Sequence, residues 1–71
     1  MTRQELRTIL MTQRAKKGLS HKAVAEKASI SRQYYGMIEN GVRSPSIKVA
    51  KKLGPVLEVS WTIFFDIEGN I

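Results

Sequence analysis

The chain has 71 residues, no cysteine, one histidine and a net charge of +6. A chain this short supports one domain, spanning residues 1–71, whose modest core would gain stability from a partner that adds buried area. Without thiols there is no disulfide framework and no thiolate metal site, and one histidine cannot make a metal site alone. We therefore expect no metal and no other cofactor.

The charge is divided unevenly along the chain. Residues 1–57 hold all 12 Lys and Arg and three acids, for +9, whereas residues 58–71 hold three acids and no base, for −3. This segregation favours a polyanionic partner over a generally solvated basic face. No apolar run approaches the roughly 20 residues that span a bilayer, and the first residues lack the apolar segment of a signal peptide. We expect a cytoplasmic protein without membrane contact.

The first predicted helix runs from Arg3 to Lys17. Leu6, Ile9 and Leu10 recur at helical spacing and are predicted to face the core. Gly18 follows as a stop signal, because glycine readily adopts the left-handed backbone that ends many helices.

Residues 20–41 are predicted to form two short helices joined by a tight turn. Ser20 and Ser31 are placed as N-caps, whose side-chain oxygens accept hydrogen bonds from unpaired amides of the first turn. Each cap has the spacing of a hydrophobic staple, in the pairs Leu19 with Val24 and Ile30 with Tyr35. Ala25 is small enough for a close approach of two helices, and Gly41 is a second stop signal. This pattern is typical of a helix-turn-helix, whose second helix enters a DNA major groove.

The second of these helices, residues 32–40, has two distinct sides at about 100° per residue. Tyr35 and Ile38 share the side that is predicted to face the core. The other side carries no charge, with Arg32 at the helix start, and is formed by Gln33, Gly36, Met37 and Asn40. Such a surface suits base edges better than bulk solvent, and a plain amphipathic helix is the alternative.

A fourth helix is predicted after a loop over residues 42–45. Ser46 is its N-cap and Ile47 its first residue. The residues predicted to face the core are Val49, Ala50 and Leu53.

A short C-terminal helix is predicted over residues 60–67, with Ser60 as its cap and its turns from Trp61 to about Asp66. The tail, residues 68–71, is predicted to fray.

This C-terminal segment has more large apolar side chains than one buried face of a short helix can absorb. Trp61 and Phe64 suit the core, and Phe65 is a further candidate for it. Ile63 and Ile67 are then the predicted contributors to a self-complementary dimer patch. Simple core packing of all five is the alternative.

These features occur in an order that resembles the XRE-type helix-turn-helix domains of the phage repressor and Cro family. The resemblance runs without a gap through Arg14-Ala-Lys-Lys-Gly-Leu-Ser, Ile30-Ser-Arg-Gln-Tyr-Tyr, Ile38-Glu-Asn-Gly, Ser44-Pro-Ser-Ile and Leu57-Glu-Val-Ser-Trp. It implies a compact all-α, five-helix lambda-repressor-like domain without enzymatic activity. It also implies a transcriptional regulator, in particular a repressor, that binds a palindromic double-stranded DNA operator as a homodimer. The sequence shows no small-molecule effector site.

The residues expected to read bases are Arg32, Gln33 and Met37. Arg32 can pair with guanine O6 and N7, Gln33 with adenine N6 and N7, and Met37 can pack on a thymine methyl group. Arg32 and Gln33 align with base-reading positions of the family. The alternatives are phosphate contact without sequence information for Arg32 and Gln33, and an exposed filler role for Met37.

The residues assigned to the DNA backbone are His21, Ser31, Tyr34, Asn40 and Arg43. His21 stands where the family usually has a phosphate-binding Gln, so binding should be somewhat stronger at mildly acid pH, unless His21 is merely exposed. The Tyr34 hydroxyl is placed to reach a phosphate. Asn40 either donates to a phosphate or only ends the helix. Arg43 lies in the loop that follows the DNA backbone in this family.

Arg14 and Glu39 match a pair that in the family forms a partly buried salt bridge between helix 1 and the end of helix 3. That role is structural, because an unpaired Glu39 would repel DNA.

Three positions depart from the family pattern. Ser29 replaces the usual Gly of the turn, so a left-handed backbone there would cost about 1 kcal/mol and the turn is expected to be slightly reshaped. Gly54-Pro55 interrupts a helix that is normally continuous, which predicts a kink or break. Glu58 replaces the usual Gly that ends helix 4.

Two other classes of function compete with DNA regulation. A protein-interaction module, such as an antitoxin-like domain, would use the apolar C-terminal surface to cover a protein partner. General RNA binding is disfavoured, because the aromatic residues are not arrayed as a stacking platform.

Overall fold

The computed structural model describes residues 1–67, and the predicted fraying of residues 68–71 lies outside the described residues. The chain folds into α1 (Arg3–Lys16), α2 (His21–Lys27), α3 (Arg32–Glu39), α4 (Ile47–Leu57) and a 3₁₀-helix (Trp61–Phe65). The all-α prediction is confirmed, and the residues between α2 and α3 form the turn of the predicted helix-turn-helix. The fifth helix is not an α-helix.

Each α-helix begins at a capping side chain. Ser20, Ser31 and Ser46 each accept a hydrogen bond from the amide three residues later, at 3.0 to 3.1 Å, as predicted. Helix α1 has a complete capping box, in which the Thr2 hydroxyl accepts from the Glu5 amide and the Glu5 carboxylate accepts from the Thr2 amide. The spacing Thr-x-x-Glu is the sequence signal for this box.

Each α-helix also ends in the same way, with a left-handed residue and two backbone hydrogen bonds that close the last turn. At the end of α1, for example, the Gly18 amide donates to the Ala15 carbonyl and the Leu19 amide to the Arg14 carbonyl, both at 3.0 Å. This pair of bonds is the Schellman motif. The left-handed residues of the four helices are Gly18, Ser29, Gly41 and Glu58, with φ of 64°, 58°, 77° and 57°.

Two of these four positions lack the glycine that the conformation favours. The expectation that Ser29 would reshape the turn is wrong, because Ser29 adopts the left-handed backbone and the Schellman bonds from Ser29 and Ile30 are made. Glu58 does the same at the end of α4, and its side chain pairs with Lys17. The Lys17 ammonium lowers the pKa of the Glu58 carboxyl. The fold therefore keeps both turns at the cost of local backbone strain.

The predicted break at Pro55 is wrong, because α4 continues through Pro55 to Leu57. Pro55 lies in the last turn, where its missing amide removes one intrahelical bond only. The Schellman bond from Val59 to the Gly54 carbonyl, at 2.9 Å, and burial of Leu57 hold this turn together. A kink at Pro55 stays a prediction.

Gly54 allows a close approach rather than a bend. A Cβ atom there would lie 3.0 Å from the Val59 carbonyl oxygen and 3.2 Å from the Trp61 Cβ. The chain can therefore fold back tightly along α4 after its end.

The C-terminal segment is a 3₁₀-helix because its backbone bonds span three residues, as from Ile63 to Ser60 and from Asp66 to Ile63. The predicted capping bond of Ser60 is not made, and its hydroxyl pairs with that of Thr62 instead, at 2.8 Å.

The helices enclose one hydrophobic core. Leu10, Tyr35, Leu53 and Leu57 are fully buried at its centre, and Phe64 of the 3₁₀-helix closes it. The remaining buried apolar residues are Leu6, Val24, Ala25, Ala28, Ile38 and Ala50. Most predicted core positions are thus confirmed.

Two predicted core positions are wrong. Ile9 is only half-buried and lies outside this core. Phe65 is 47% exposed, because the short 3₁₀-helix turns only Phe64 fully inward. Trp61 packs on the edge of the core, with its ring edge-on to Phe65.

Candidate nucleic-acid interface

Helix α3 has the two sides that the sequence predicts. Tyr35 and Ile38 are buried, whereas Arg32 and Gln33 at the helix start and Asn40 just after its end are exposed. Because Tyr35 and Ile38 pack in the core, the opposite side of α3, including Arg32 and Gln33 of its first turn, faces outward. This leaves a polar surface whose only charged side chain is at the helix start.

This polar surface borders a shallow, open hollow. Its lining residues are His21, Arg32, Gln33, Gly36 and Asn40, so α2 contributes one residue and the region of α3 the rest. A Cβ atom at Gly36 would meet nothing within 4 Å, which leaves the middle of the surface free for close approach. Met37, the third predicted base reader, is half-buried and lies outside the hollow.

The predicted salt bridge between Arg14 and Glu39 is present. The Arg14 Nε atom donates to Glu39 Oε1 at 2.9 Å, and Nη2 donates to Oε2 at 3.3 Å. Only 3% of the Glu39 side chain is exposed, whereas 20% of Arg14 is. The pair joins α1 to the end of α3 and so fixes α3 against the core.

Two more groups share this carboxylate. The buried Tyr35 hydroxyl donates to Glu39 Oε1 at 2.9 Å, and His21 Nε2 lies 2.8 Å from Oε2. The His21 ring also packs edge-on against Tyr35, with 5.6 Å between ring centroids. Sequence reasoning placed His21 at the DNA backbone and missed this contact, which spans 18 positions of the chain and has no local signal.

The pKa values follow from this geometry. Burial raises the pKa of Glu39, but hydrogen bonds from Arg14, His21 and Tyr35 outweigh burial and leave it below its ordinary value of 4.5. Burial, together with the Glu39 bond, raises the pKa of the Tyr35 phenol. Glu39 is therefore ionised and Tyr35 neutral at neutral pH.

A second group of predicted contact residues, Tyr34 and Arg43, does not line the hollow. The Arg43 guanidinium carbon lies 5.9 Å from the centre of the Tyr34 ring, close enough for a cation–π contact. Amides of Val42 and Arg43 donate to the Met37 carbonyl, at 2.9 and 3.2 Å, and so tie this loop to α3. Met37 thus contributes to the site through its backbone.

Ser31 and Asn40 have structural roles at the two ends of α3. The Ser31 hydroxyl is occupied as the cap, accepting from the Tyr34 amide. Asn40 is the C-cap residue, whose amide donates to the Gly36 carbonyl. Their contacts with DNA stay predictions.

The residues of the predicted dimer patch are partly covered. Ile63 and Ile67 are half-buried and pack against the core. Phe65, on the same segment, is the most exposed of its large apolar side chains. The dimer stays a prediction, with Phe65 as an additional candidate.

Residues 1–67 contain no group of three His, Asp or Glu side chains that could hold a metal ion. Within the same residues, no helix has the length and apolarity needed to cross a membrane.

Comparison with known proteins agrees with the geometry. The helix-turn-helix family model matches residues 10–64. The chain is 49% identical over 61 residues to the HTH-type transcriptional regulator YqaF of Bacillus subtilis (strain 168), covering 86% of this chain and 80% of that protein. It is 38% identical over 61 residues to the HTH-type transcriptional regulator SlrR of the same strain, covering 84% of this chain but only 40% of SlrR. No solved structure matches significantly. The chain therefore belongs to the XRE (Cro/C1-type) family of helix-turn-helix DNA-binding transcriptional regulators.

Proposed function

We propose that the chain is a sequence-specific regulator that reads base edges with Arg32, Gln33 and Met37. The observation that carries the proposal is the open hollow around Gly36, bordered by polar side chains of α3. A DNA groove can approach such a surface without displacing a side chain. Arg32 and Gln33 lie in the first turn of α3, the end of a recognition helix that contacts bases.

Phosphate contacts supply affinity in this proposal. The residues proposed to make them are His21, Ser31, Tyr34, Asn40 and Arg43. His21 and Asn40 line the same hollow as Arg32 and Gln33. Contacts of this kind fix the register of the protein on the duplex without reading sequence. The net charge of +9 on residues 1–57 supplies the general attraction.

We further propose that the protein acts as a repressor, as a homodimer on a two-fold operator. YqaF and SlrR are both named as transcriptional regulators, which supports regulation but not its sign. The C-terminal segment offers Phe65, with Ile63 and Ile67 beside it, as the contact between two copies. Such a pairing would be isologous, and it would place two recognition helices in successive major grooves.

Selection of binding sites from random duplex DNA tests this proposal. We expect a two-fold symmetric site with half-sites centred about 34 Å apart, or a multiple of that distance. The matched control is Gly36→Leu, whose Cβ atom would meet nothing within 4 Å and whose longer side chain would extend into the hollow. We expect this variant to keep the fold but to select no site.

Three results would contradict the proposal. A selected site without two-fold symmetry would refute the dimer. Tight binding to a protein partner with only nonspecific DNA affinity would favour the protein-interaction module instead, and so would a Gly36→Leu variant that selects the same site.

A further inference from the structure

The two ring nitrogens of His21 face different surroundings. Nε2 lies 2.8 Å from the buried Glu39 carboxylate. Within residues 1–67, Nδ1 has no hydrogen-bond partner. Every buried side-chain nitrogen or oxygen in these residues does have a partner, so Nδ1 is not buried. Nδ1 is therefore reached by solvent, on a side chain that is 31% exposed and lines the hollow. The imidazole lies between a fixed carboxylate and the proposed DNA surface.

A neutral imidazole carries one N–H group and one lone pair. Because Glu39 is an ionised carboxylate, Nε2 must carry the hydrogen to bond it, which leaves a lone pair on Nδ1. A phosphate oxygen facing that lone pair would be repelled. Only the imidazolium ion has an N–H group on both nitrogens, one for Glu39 and one for a phosphate oxygen.

Charged groups surround the ring. The Glu39 carboxylate contacts Nε2, and Arg14 shares that carboxylate. Arg32 lines the same hollow, and Lys22 follows His21 on α2. The Tyr35 phenol that packs on the ring is neutral. A phosphate in the hollow would add a negative charge on the exposed side and shift the balance toward the imidazolium ion.

We propose that His21 takes up a proton from solvent when the protein binds DNA, with Nε2–H held by Glu39 and Nδ1–H donated to a phosphate oxygen. The proposal rests on the proposed function, since it needs DNA at the hollow. By linkage, a ligand that favours the protonated form binds more tightly where that form is populated. Affinity is therefore highest at acid pH and falls as pH rises through the range, about pH 5 to 8, in which histidine changes charge.

The experiment uses the full chain and a short duplex of mixed sequence, because phosphate contacts do not depend on base sequence. The Kd is measured by fluorescence anisotropy at constant ionic strength across that pH range. We expect Kd to rise with pH, by at most about tenfold per pH unit for each His21 in the complex. Titration calorimetry in phosphate and in Tris buffer, which differ in ionisation enthalpy, should report net proton uptake.

The matched control is His21→Gln, which keeps a donor amide but cannot change charge. It should bind DNA with an affinity that varies much less with pH, and without proton uptake. His21 is the only histidine of the chain, so its NMR titration in the free wild-type protein and in the complex gives a second readout that needs no variant. Its midpoint should move to higher pH when DNA is added.

The outcomes separate the two proposals. Wild-type protein that binds DNA with the same pH dependence as His21→Gln, or an unmoved histidine midpoint, would overturn the proton uptake and leave the proposed function standing. Absence of DNA binding at every pH, by protein that remains folded, would overturn the proposed function and the proton uptake together.

Discussion

Replacing Ser29 by glycine should stabilise the domain. Ser29 has φ of 58°, which costs a residue with a Cβ atom about 1–2 kcal/mol. Glycine removes this strain but loses about 0.5–1 kcal/mol through the greater freedom of the unfolded chain. Taking the middle of each range, the net gain is about 0.75 kcal/mol, which raises the Tm of a domain of this size by about 3–6 °C.

The opposite change at the end of α1 is the matched control. Gly18 occupies the same Schellman position with φ of 64°, and a Cβ atom there would meet nothing within 4 Å, so Gly18→Ser adds backbone strain alone. It should lower the free energy of unfolding by a similar amount. Urea denaturation followed by circular dichroism measures both variants. A Ser29→Gly variant that is less stable than the wild type, or an unaffected Gly18→Ser variant, would refute the assignment of strain to these turns.

Three further changes test other parts of the structure. Gly54→Ala should destabilise the fold by about 1–3 kcal/mol, because its Cβ would be crowded by the segment after α4. Gly36→Ala, whose Cβ would lie in open space, should stabilise the fold by about 0.5–1 kcal/mol. Thermal melts that shift both variants in the same direction would contradict this. Glu39 has a lowered pKa, so its contribution to stability is present above its ordinary value of 4.5 and is lost as pH falls below it. The Glu39→Gln variant should therefore have a lower free energy of unfolding than the wild type near neutral pH, and this difference should narrow on acidification. If urea denaturation gives the same difference at every pH, that would count against the hydrogen bonds that Glu39 accepts from Arg14, His21 and Tyr35. Arg43→Ala should flatten the slope of log affinity against log salt by about one. Tyr34→Phe, which keeps the ring next to Arg43, should leave the slope unchanged. Equal slopes for the wild type and both variants would remove Arg43 as a phosphate anchor.

Local signals in the sequence predicted most of the fold. The caps Ser20, Ser31 and Ser46 lie within three residues of the amides that they bind, so the sequence alone specifies the helix starts. Gly18 and Gly41 likewise mark helix ends by their backbone freedom. These features need no knowledge of tertiary packing.

The wrong predictions concern positions where packing overrides local preference. Ser29 adopts a backbone that disfavours it, because α2 and α3, which pack in the core on either side of it, must still be joined by this tight turn. Pro55 stays within α4 because burial of Leu57 and the turn that follows outweigh one lost hydrogen bond. Phe65 is exposed because the 3₁₀ backbone sets its direction.

The sequence likewise predicted the parts of the candidate site that have a local or family signal, and it missed the part that depends on tertiary packing. The uncharged side of α3 and the pairing of Arg14 with Glu39 were accessible to sequence reasoning, the first through helical periodicity and the second through the family resemblance. The contact of His21 with Glu39 was not accessible to sequence reasoning. It joins the first residue of α2 to the last residue of α3, and it forms only when the two helices pack together around Tyr35.

The central claim is that the polar surface of α3 reads bases, and Gln33→Ala tests it most directly. The wild type and the variant are compared on the best selected duplex and on mixed-sequence DNA, with Gln4→Ala, an exposed glutamine on α1, as the matched control. Gln33→Ala should cost about 1–3 kcal/mol on the selected site, or about 5- to 150-fold in Kd, and little on mixed-sequence DNA. The control should change neither. Equal weakening on both duplexes would contradict the account, because Gln33 would then anchor the backbone or support the fold rather than read a base.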